Sequence, residues 1–265
     1  MLILAATPIG NLEDASPRLK RVLEEADHVY AEDTRQSGKL LKHLEVSRRL
    51  SSFHEHSGPG VLKHIGNQLE GGETVAYISD AGMPGISDPG YELVRTAREL
   101  DVEVDVIPGP SAVINALVLS GLPNHGFCFM GFFPPKAEQR RLLVSRLELL
   151  DMTSIFFEGP SRIEQALAFL AETIPQTPIA VCREMTKLHQ EVLRGTPSQV
   201  LGRLEMARGE FVLVIGPVIK AIDERDPKIR YHELLEKGMT PTNAVKMLAR
   251  ELRLPKREIY KMVIQ

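Results

Sequence analysis

The chain reads as an α/β protein built on a largely parallel sheet, and three observations lead there. Short apolar runs alternate with segments of helical spacing along residues 1–120. The run of residues 2–6 passes through a turn into a helical run before the next strand candidate, an order that argues for parallel pairing. A loop rich in Gly, Pro and Asp, SDAGMPGISDPG over residues 79–90, joins an apolar run to a helical pattern, the place where open α/β sheets bind ligands.

In order, residues 2–6 form the first strand candidate, and Thr7 to Asn11 turn the chain into a helix over 16–25. Ser16 stands as its N-cap, with Pro17 at the first helical position. Strands follow over 28–31, 50–53, 74–78 and 102–107, with a helix over 91–100. Residues 111–120 read as an apolar helix opened by the turn at Pro108. Residues 121–136, GLPNHGFCFMGFFPPK, mix Gly and Pro with Phe and suit a domain junction. Beyond it, strands over 153–157, 179–183, 191–194 and 211–215, with helices over 139–150 and 161–173, make a second α/β unit. Two of its strands lie close together, so its sheet is expected to be mixed in direction. The expected division is 1–120, 121–219 and a helical tail over 220–265.

In the tail Thr240 caps a helix with Pro241 in its first turn, and Ala244, Val245, Leu248 and Leu252 recur at helical spacing. Leu254 and Pro255 break it before a short helix over 256–263. The outline is that of a helix-turn-helix, which any αα-hairpin shares. The chain has a net charge of −3. From residue 220 onward 11 Lys and Arg stand against 7 Asp and Glu, leaving the tail at +4; 21 against 28 leave residues 1–219 at −7. A basic tail on an acidic body suits a polyanionic partner. No run approaches the roughly 18 apolar residues of a membrane span. MLILAA lacks the length and basic flank of a signal peptide. Cys128 and Cys182 have no CxxC spacing and read as buried thiols of a reducing compartment, so a cytoplasmic protein is expected.

The loop of residues 79–90 says what kind of ligand to expect. GxxxxGK[ST] is absent and neither early turn fits GxGxxG, which removes support for nucleoside triphosphates and dinucleotides. Asp80 and Asp88 would repel phosphate but suit ribose hydroxyls, an amino group or a sulfonium. A cationic nucleoside fits better than an anionic nucleotide.

TPIGNLEDASPR from Thr7, AEDTR from Ala31, SFHEHS from Ser52, SDAGMPGISDPG from Ser79, PGPSA from Pro108, GFFPPK from Gly131, FEGPSR from Phe157 and REMTKLHQEVLRG from Arg183 occur in this order along nearly the whole chain. Together they resemble the ribosomal RNA small subunit methyltransferase I family of the tetrapyrrole methylase fold. The pattern departs after Ser57, where Gly58, Pro59 and Gly60 follow. The resemblance implies two α/β domains holding S-adenosylmethionine in the cleft between them, a homodimer, and 2′-O-methylation of a cytidine ribose in small-subunit ribosomal RNA, within an assembled or assembling subunit. It places the cofactor against Pro8, Asp80, Gly82, Met83, Ile86, Ser111 and Ala112, with Phe157, Glu158 and Leu213 closing over it. Ser111 equally reads as a plain N-cap.

Methyl transfer to a ribose oxygen asks for alignment and for a base. Asp33, Arg35, His54, Glu184 and Lys187 are the candidates for catalytic roles, and residue types alone do not choose among them. Arg35, Arg162, Arg183 and Lys187 equally suit RNA phosphates or surface ion pairs. His54 and His56 flank Glu55 without a third ligand in view, so no metal is expected. Two rivals stay open: a tetrapyrrole C-methyltransferase on the same fold, and a nonenzymatic ribosome-assembly factor that binds nucleic acid through the tail.

Overall fold

Side chains alternate across β1 (Leu2–Ala5), so Ile3 and Ala5 enter one apolar cluster while Leu2 and Leu4 enter another on the opposite face. That period of two sets the layers of the first half. After α1 (Pro17–Glu25) come β2 (His28–Ala31), α2 (Thr34–His43), β3 (Leu50–Ser52), α3 (Pro59–Glu70), β4 (Val75–Ile78), α4 (Gly90–Glu99) and β5 (Val104–Ile107). The five strands pair in the order β3-β2-β4-β1-β5, all parallel. Leu19 and Leu23 of α1 and Leu40 and Leu41 of α2 cover one face; Ile65 and Leu69 of α3 and Leu93 and Ala97 of α4 cover the other. Ser16 accepts the Leu19 amide as the expected N-cap of α1. The computed structural model describes residues 1–219, 227–252 and 254–264.

The chain then runs through α5 (Ala112–Ser120), β6 (Phe127–Phe132), α6 (Ala137–Leu150), β7 (Thr153–Glu158), α7 (Ile163–Thr173), β8 (Ile179–Arg183), β9 (Glu191–Gly195), α8 (Pro197–Arg203) and β10 (Phe211–Ile215). Their sheet has the order β6-β7-β10-β8-β9 and is mixed: β6 lies parallel to β7, and the remaining pairs are antiparallel. Leu143, Leu147, Leu167, Leu170 and Val200 cover one face.

The other face is covered by α5. Its Val113, Ala116 and Leu117 pack on Ile155, Ala180, Cys182, Val212 and Val214. The segment falls within residues 1–120, yet it is the roof of the second sheet. Gly121 ends α5 in the left-handed region (φ 69°), where a glycine carries no Cβ penalty. Arg194 of β9 donates to the carbonyls of Leu119 and Ser120, putting a guanidinium on the negative end of the helix. The stretch 121–136, which reads as a junction, contributes β6 to the sheet.

Among the described residues the tail forms three helices. To the two expected helices, α10 (Pro241–Glu251) and α11 (Lys256–Ile264), it adds α9 (Pro227–Glu236), and the three close around Tyr231, Leu234, Ala244, Val245, Leu248, Ile259 and Val263. Arg230 bridges Glu233 and Glu251 at 3.0 and 3.2 Å, tying α9 to α10. Residues 220–226, 253 and 265 of the expected tail lie outside the described residues.

Candidate active site

Loops leaving the carboxyl ends of β1, β4 and β5 lock together. Thr7 and Gly82 exchange both backbone hydrogen bonds, at 2.9 and 3.1 Å, and the Thr7 hydroxyl donates to the Ser79 carbonyl at 3.2 Å. Gly82 sits at φ 83°, and a Cβ there would lie 3.2 Å from Ile9. At Gly109 a Cβ would fall 2.8 Å from that of Ala6. Both positions need glycine for close approach. Pro8 is buried at this junction, Met83 is half-buried, and Ile86 stands out from the loop at 48% exposure. Asp88 is spent within the loop, its Oδ1 accepting the amides of Gly85 and Gly90 at 2.8 Å each.

A second coupling joins β2 to β4. Asp80 Oδ1 accepts the Asp33 amide at 3.0 Å, and Glu32 Oε2 accepts the Asp80 amide at 3.3 Å. Burial pushes the Asp80 and Glu32 carboxyls above their usual range, and for Glu32 the charges of Asp80, Asp88 and Glu55 push the same way. Asp33 is different. It caps α2 and holds Arg35 in a forked pair, Oδ1 to Nε at 3.1 Å and Oδ2 to Nη2 at 2.8 Å. Hydrogen bonds from the Arg35 side chain and amide hold Asp33 at about 2, far too acidic for an efficient base near neutral pH. The Arg35 side chain is 88% exposed and reaches solvent from this pair.

The second half meets the same junction. A Cβ on Gly10 would lie 2.6 Å from Lys187 Cγ, 2.7 Å from Thr186 Oγ1 and 2.9 Å from the Met185 carbonyl, so the β1 exit loop rests directly on the β8–β9 loop. Ile9 and Met185 share one apolar cluster with α5. Glu184, at φ 48°, accepts Lys187 Nζ and the Glu210 amide, both at 2.9 Å, and Lys187 also reaches Glu210 at 3.0 Å. The Lys187 ammonium holds Glu184 below its usual range. Burial pulls Lys187 down, but its bonds to Glu184 and Glu210 outweigh that and keep it above the usual value. The pair is an electrostatic brace, with neither member poised as a base.

The remaining expected residues separate. Ser111 caps α5, its Oγ accepting the Ile114 amide at 3.4 Å. Ala112 and Phe157 pack on the α5 cluster, and the Phe157 ring meets Phe129 at a tilt, centroids 4.7 Å apart, and Phe132 edge-on at 5.8 Å. Glu158 turns the other way and accepts the Gly159 amide and Arg162 Nε at 2.7 Å each, bracing the turn into α7. The Leu213 side chain is fully buried in the cluster on the face opposite α5, so it builds the core instead of lining a cleft. His54 lies at the exit of β3, exposed, with Nδ1 accepting the His56 amide at 3.2 Å. Residue type does not single out Glu32; its place at a strand end beside Asp33 is the one signal the sequence carries.

Among the described residues, four buried side-chain polar atoms have no partner: Tyr77 Oη, Ser79 Oγ, Glu158 Oε2 and Thr186 Oγ1. Each belongs to a carboxyl-end segment of a strand, in β4 and its exit, at the end of β7, or in the β8–β9 loop. Buried polar groups are ordinarily paired, so Ser79 Oγ at the β4 exit and Thr186 Oγ1 against the Gly10 loop mark ligand-binding ground.

Comparison with known proteins fits this architecture. The model of the tetrapyrrole (corrin/porphyrin) methylases matches residues 1–201. Among solved structures, that of a diphthine synthase superposes with a TM-score of 0.66 at 14% identity, covering 82% of this chain and 90% of that one. The structure of the methyltransferase CobJ gives 0.60 at 21%, covering 82% and 93%. Among sequence relatives, ribosomal RNA small subunit methyltransferase I of Halalkalibacterium halodurans is 38% identical over 100% of this chain and 94% of its own length. The Bacillus subtilis protein of the same name is 37% identical over 98% and 92%. That of Thermotoga maritima is 43% identical over 81% and 97%. The chain belongs to the ribosomal RNA small subunit methyltransferase I family, within the tetrapyrrole methylases. It is a methyltransferase that uses S-adenosylmethionine.

The donor set fits that cofactor. Glycines let the loops approach closely at residues 82 and 109, Asp80 supplies a carboxylate beside the unpartnered Ser79 hydroxyl, and the loop of residues 79–90 carries no basic residue that would clamp phosphate. No helix among the described residues is long and apolar enough to cross a membrane.

Proposed function

We propose that the enzyme methylates the 2′ oxygen of a cytidine ribose in small-subunit ribosomal RNA, within an assembled or assembling subunit in the cytoplasm. The observation that carries this reading is the junction of the β1, β4 and β8–β9 loops, a cradle with carboxylates in place of phosphate clamps. The names of the full-length relatives support the substrate. Pro8, Asp80, Gly82, Met83, Ile86, Ser111 and Ala112 hold the cofactor, and Phe157 closes over it. Bound there, S-adenosylmethionine supplies an electrophilic methyl group for in-line transfer. The chain's own contribution is mostly placement, for which effective molarities reach about 10⁵–10⁸ M. Arg35, projecting from its pair with Asp33, meets an RNA phosphate, and His54 borders the incoming nucleotide. Glu184 and Lys187 brace the cleft.

The tail supports substrate contact. Lys246, Arg250, Lys256, Arg257 and Lys261 are exposed and make no ion pair among the described residues. The working division is 1–120, 121–219 and 220–265, with two copies forming the active dimer.

Tritium transfer from labelled S-adenosylmethionine to small subunits lacking their native methylations, followed by nucleoside analysis, tests the reading. Label in 2′-O-methylcytidine is the expected result. Label in another nucleoside, or in a tetrapyrrole only, overturns it.

A further inference from the structure

Five carboxylates, Glu32, Asp33, Glu55, Asp80 and Asp88, follow the carboxyl ends of β2, β3 and β4, and the methyl-transfer step needs a base. Asp33 is locked to Arg35, Glu184 to Lys187, and Lys187 to two carboxylates. Glu32 remains. It ends β2, half-buried, and one oxygen is anchored: Oε2 accepts the Asp80 amide, while Oε1 accepts nothing among the described residues. Its backbone is anchored too, the Glu32 amide donating to the Ile78 carbonyl at 3.2 Å.

The groups facing it are Asp80 and Asp88 from the β4–α4 loop, Glu55 from the β3–α3 loop and the Tyr77 hydroxyl from β4, with Asp33 and Arg35 on its own side. The Tyr77 hydroxyl is the independent sign of a ligand. Its side chain is fully buried, its ring edge lies 3.1 Å from where a Cβ on Gly90 would stand, close to Asp88 Oδ1, and its unpartnered oxygen feels the charges of Asp88, Glu32 and Asp80. A crowd of carboxylates with an unpaired buried hydroxyl near it suits proton traffic. Among the described residues no three His, Cys, Asp or Glu side chains gather as metal ligands.

We propose that Glu32 is the catalytic residue that accepts the proton of the ribose hydroxyl during methyl transfer. This rests on the ribose reading above. As the ribose oxygen bonds the methyl carbon, its O–H bond breaks and the proton passes to Glu32 Oε1. The C–S bonding pair stays on sulfur. A carboxylate and a sulfonium thus become a carboxylic acid and a neutral thioether, and water afterwards takes the proton from Glu32. Burial and the neighbouring acids hold Glu32 above the ordinary glutamate value, which makes it a stronger base than an exposed carboxylate.

Single-turnover transfer to undermethylated small subunits, read with wild-type, Glu32→Gln and Glu32→Asp enzymes across pH, tests this. Loss of a positioned base costs roughly 10²–10⁴ in rate, so Glu32→Gln should fall by that much while calorimetry gives an unchanged S-adenosylmethionine Kd. The wild-type rate should rise with pH as Glu32 ionises, and that limb should vanish in Glu32→Gln. Glu32→Asp should recover part of the rate with the limb moved. An independent readout is infrared titration of the Glu32 carboxyl in the cofactor-free protein, expected above the ordinary glutamate value. Retained rate and pH limb in Glu32→Gln, loss of cofactor binding in both variants, or an ordinary carboxyl titration each overturn the proposal. Wild-type enzyme that labels only a base or another molecule instead overturns the ribose reading on which it rests.

Discussion

Replacing Asp88 removes the acceptor that holds two backbone amides of the 79–90 loop at once. Its Oδ1 takes the Gly85 and Gly90 amides at 2.8 Å each, in a half-buried setting where Gly90 also starts α4. Hydrogen bonds to a charged acceptor contribute about 1.5–3 kcal/mol each, and an amide left unpaired costs about 1–3 kcal/mol when buried. Water reaches this loop in part, so Asp88→Ala is expected to cost about 2–4 kcal/mol in total. At roughly 2–4 °C per kcal/mol for a chain of this size, Tm should drop by about 4–16 °C. Asp88→Asn keeps a carbonyl acceptor and loses only the charge, so it should retain at least half of that stability. Scanning calorimetry reads Tm, and isothermal titration calorimetry reads the S-adenosylmethionine Kd, which should weaken in Asp88→Ala as the loop loses its shape. A Tm within about 2 °C of wild type, with an unchanged Kd, refutes the argument that Asp88 organises the cradle.

Gly10→Ala should force the β1 exit loop off the β8–β9 loop, because its Cβ would meet the Met185 carbonyl at 2.9 Å as well as two side chains. Overpacking of this kind costs about 1–3 kcal/mol, expected as a roughly 5- to 100-fold weaker cofactor Kd, whereas Gly60→Ala, with nothing within 4 Å of its Cβ, should bind normally. Asp33 should titrate near pH 2 by carboxyl-carbon NMR. With its folded value depressed, its contribution to stability is present above the ordinary aspartate value and lost as pH falls through about 2, so a midpoint near 4 would contradict the Arg35 pair.

Strands were the legible part of this fold, because apolar runs such as 75–78 and 211–215 are buried on both sides and declare it in composition. Helices with mixed openings were not. α3 begins at Gly58-Pro59-Gly60, which locally spells a turn, and only the apolar spacing of Ile65 and Leu69 against the sheet reveals it. β6 carries Gly131 at φ 73° and a register shift between Phe129 and Phe132, so its pattern resembles a hinge. In the site, residue types foretold a carboxylate-rich cradle. They could not tell which carboxylates were already occupied: Asp88 by two amides, Asp33 by Arg35, Glu158 by Arg162. Nor does residue type tell which face Leu213 takes, since one step along a strand changes the face.

The placement of α5 has a consequence for how the molecule can be taken apart or assembled. On the ribosome, the helix emerges before any strand it will cover, so Val113, Ala116 and Leu117 must wait as an apolar ridge until β7, β8 and β10 arrive. A cut after residue 120 would leave that ridge bare on one fragment and the Ile155, Ala180 and Val212 surface bare on the other. Exchange of halves between relatives would succeed only where α5 travels with the strands it covers.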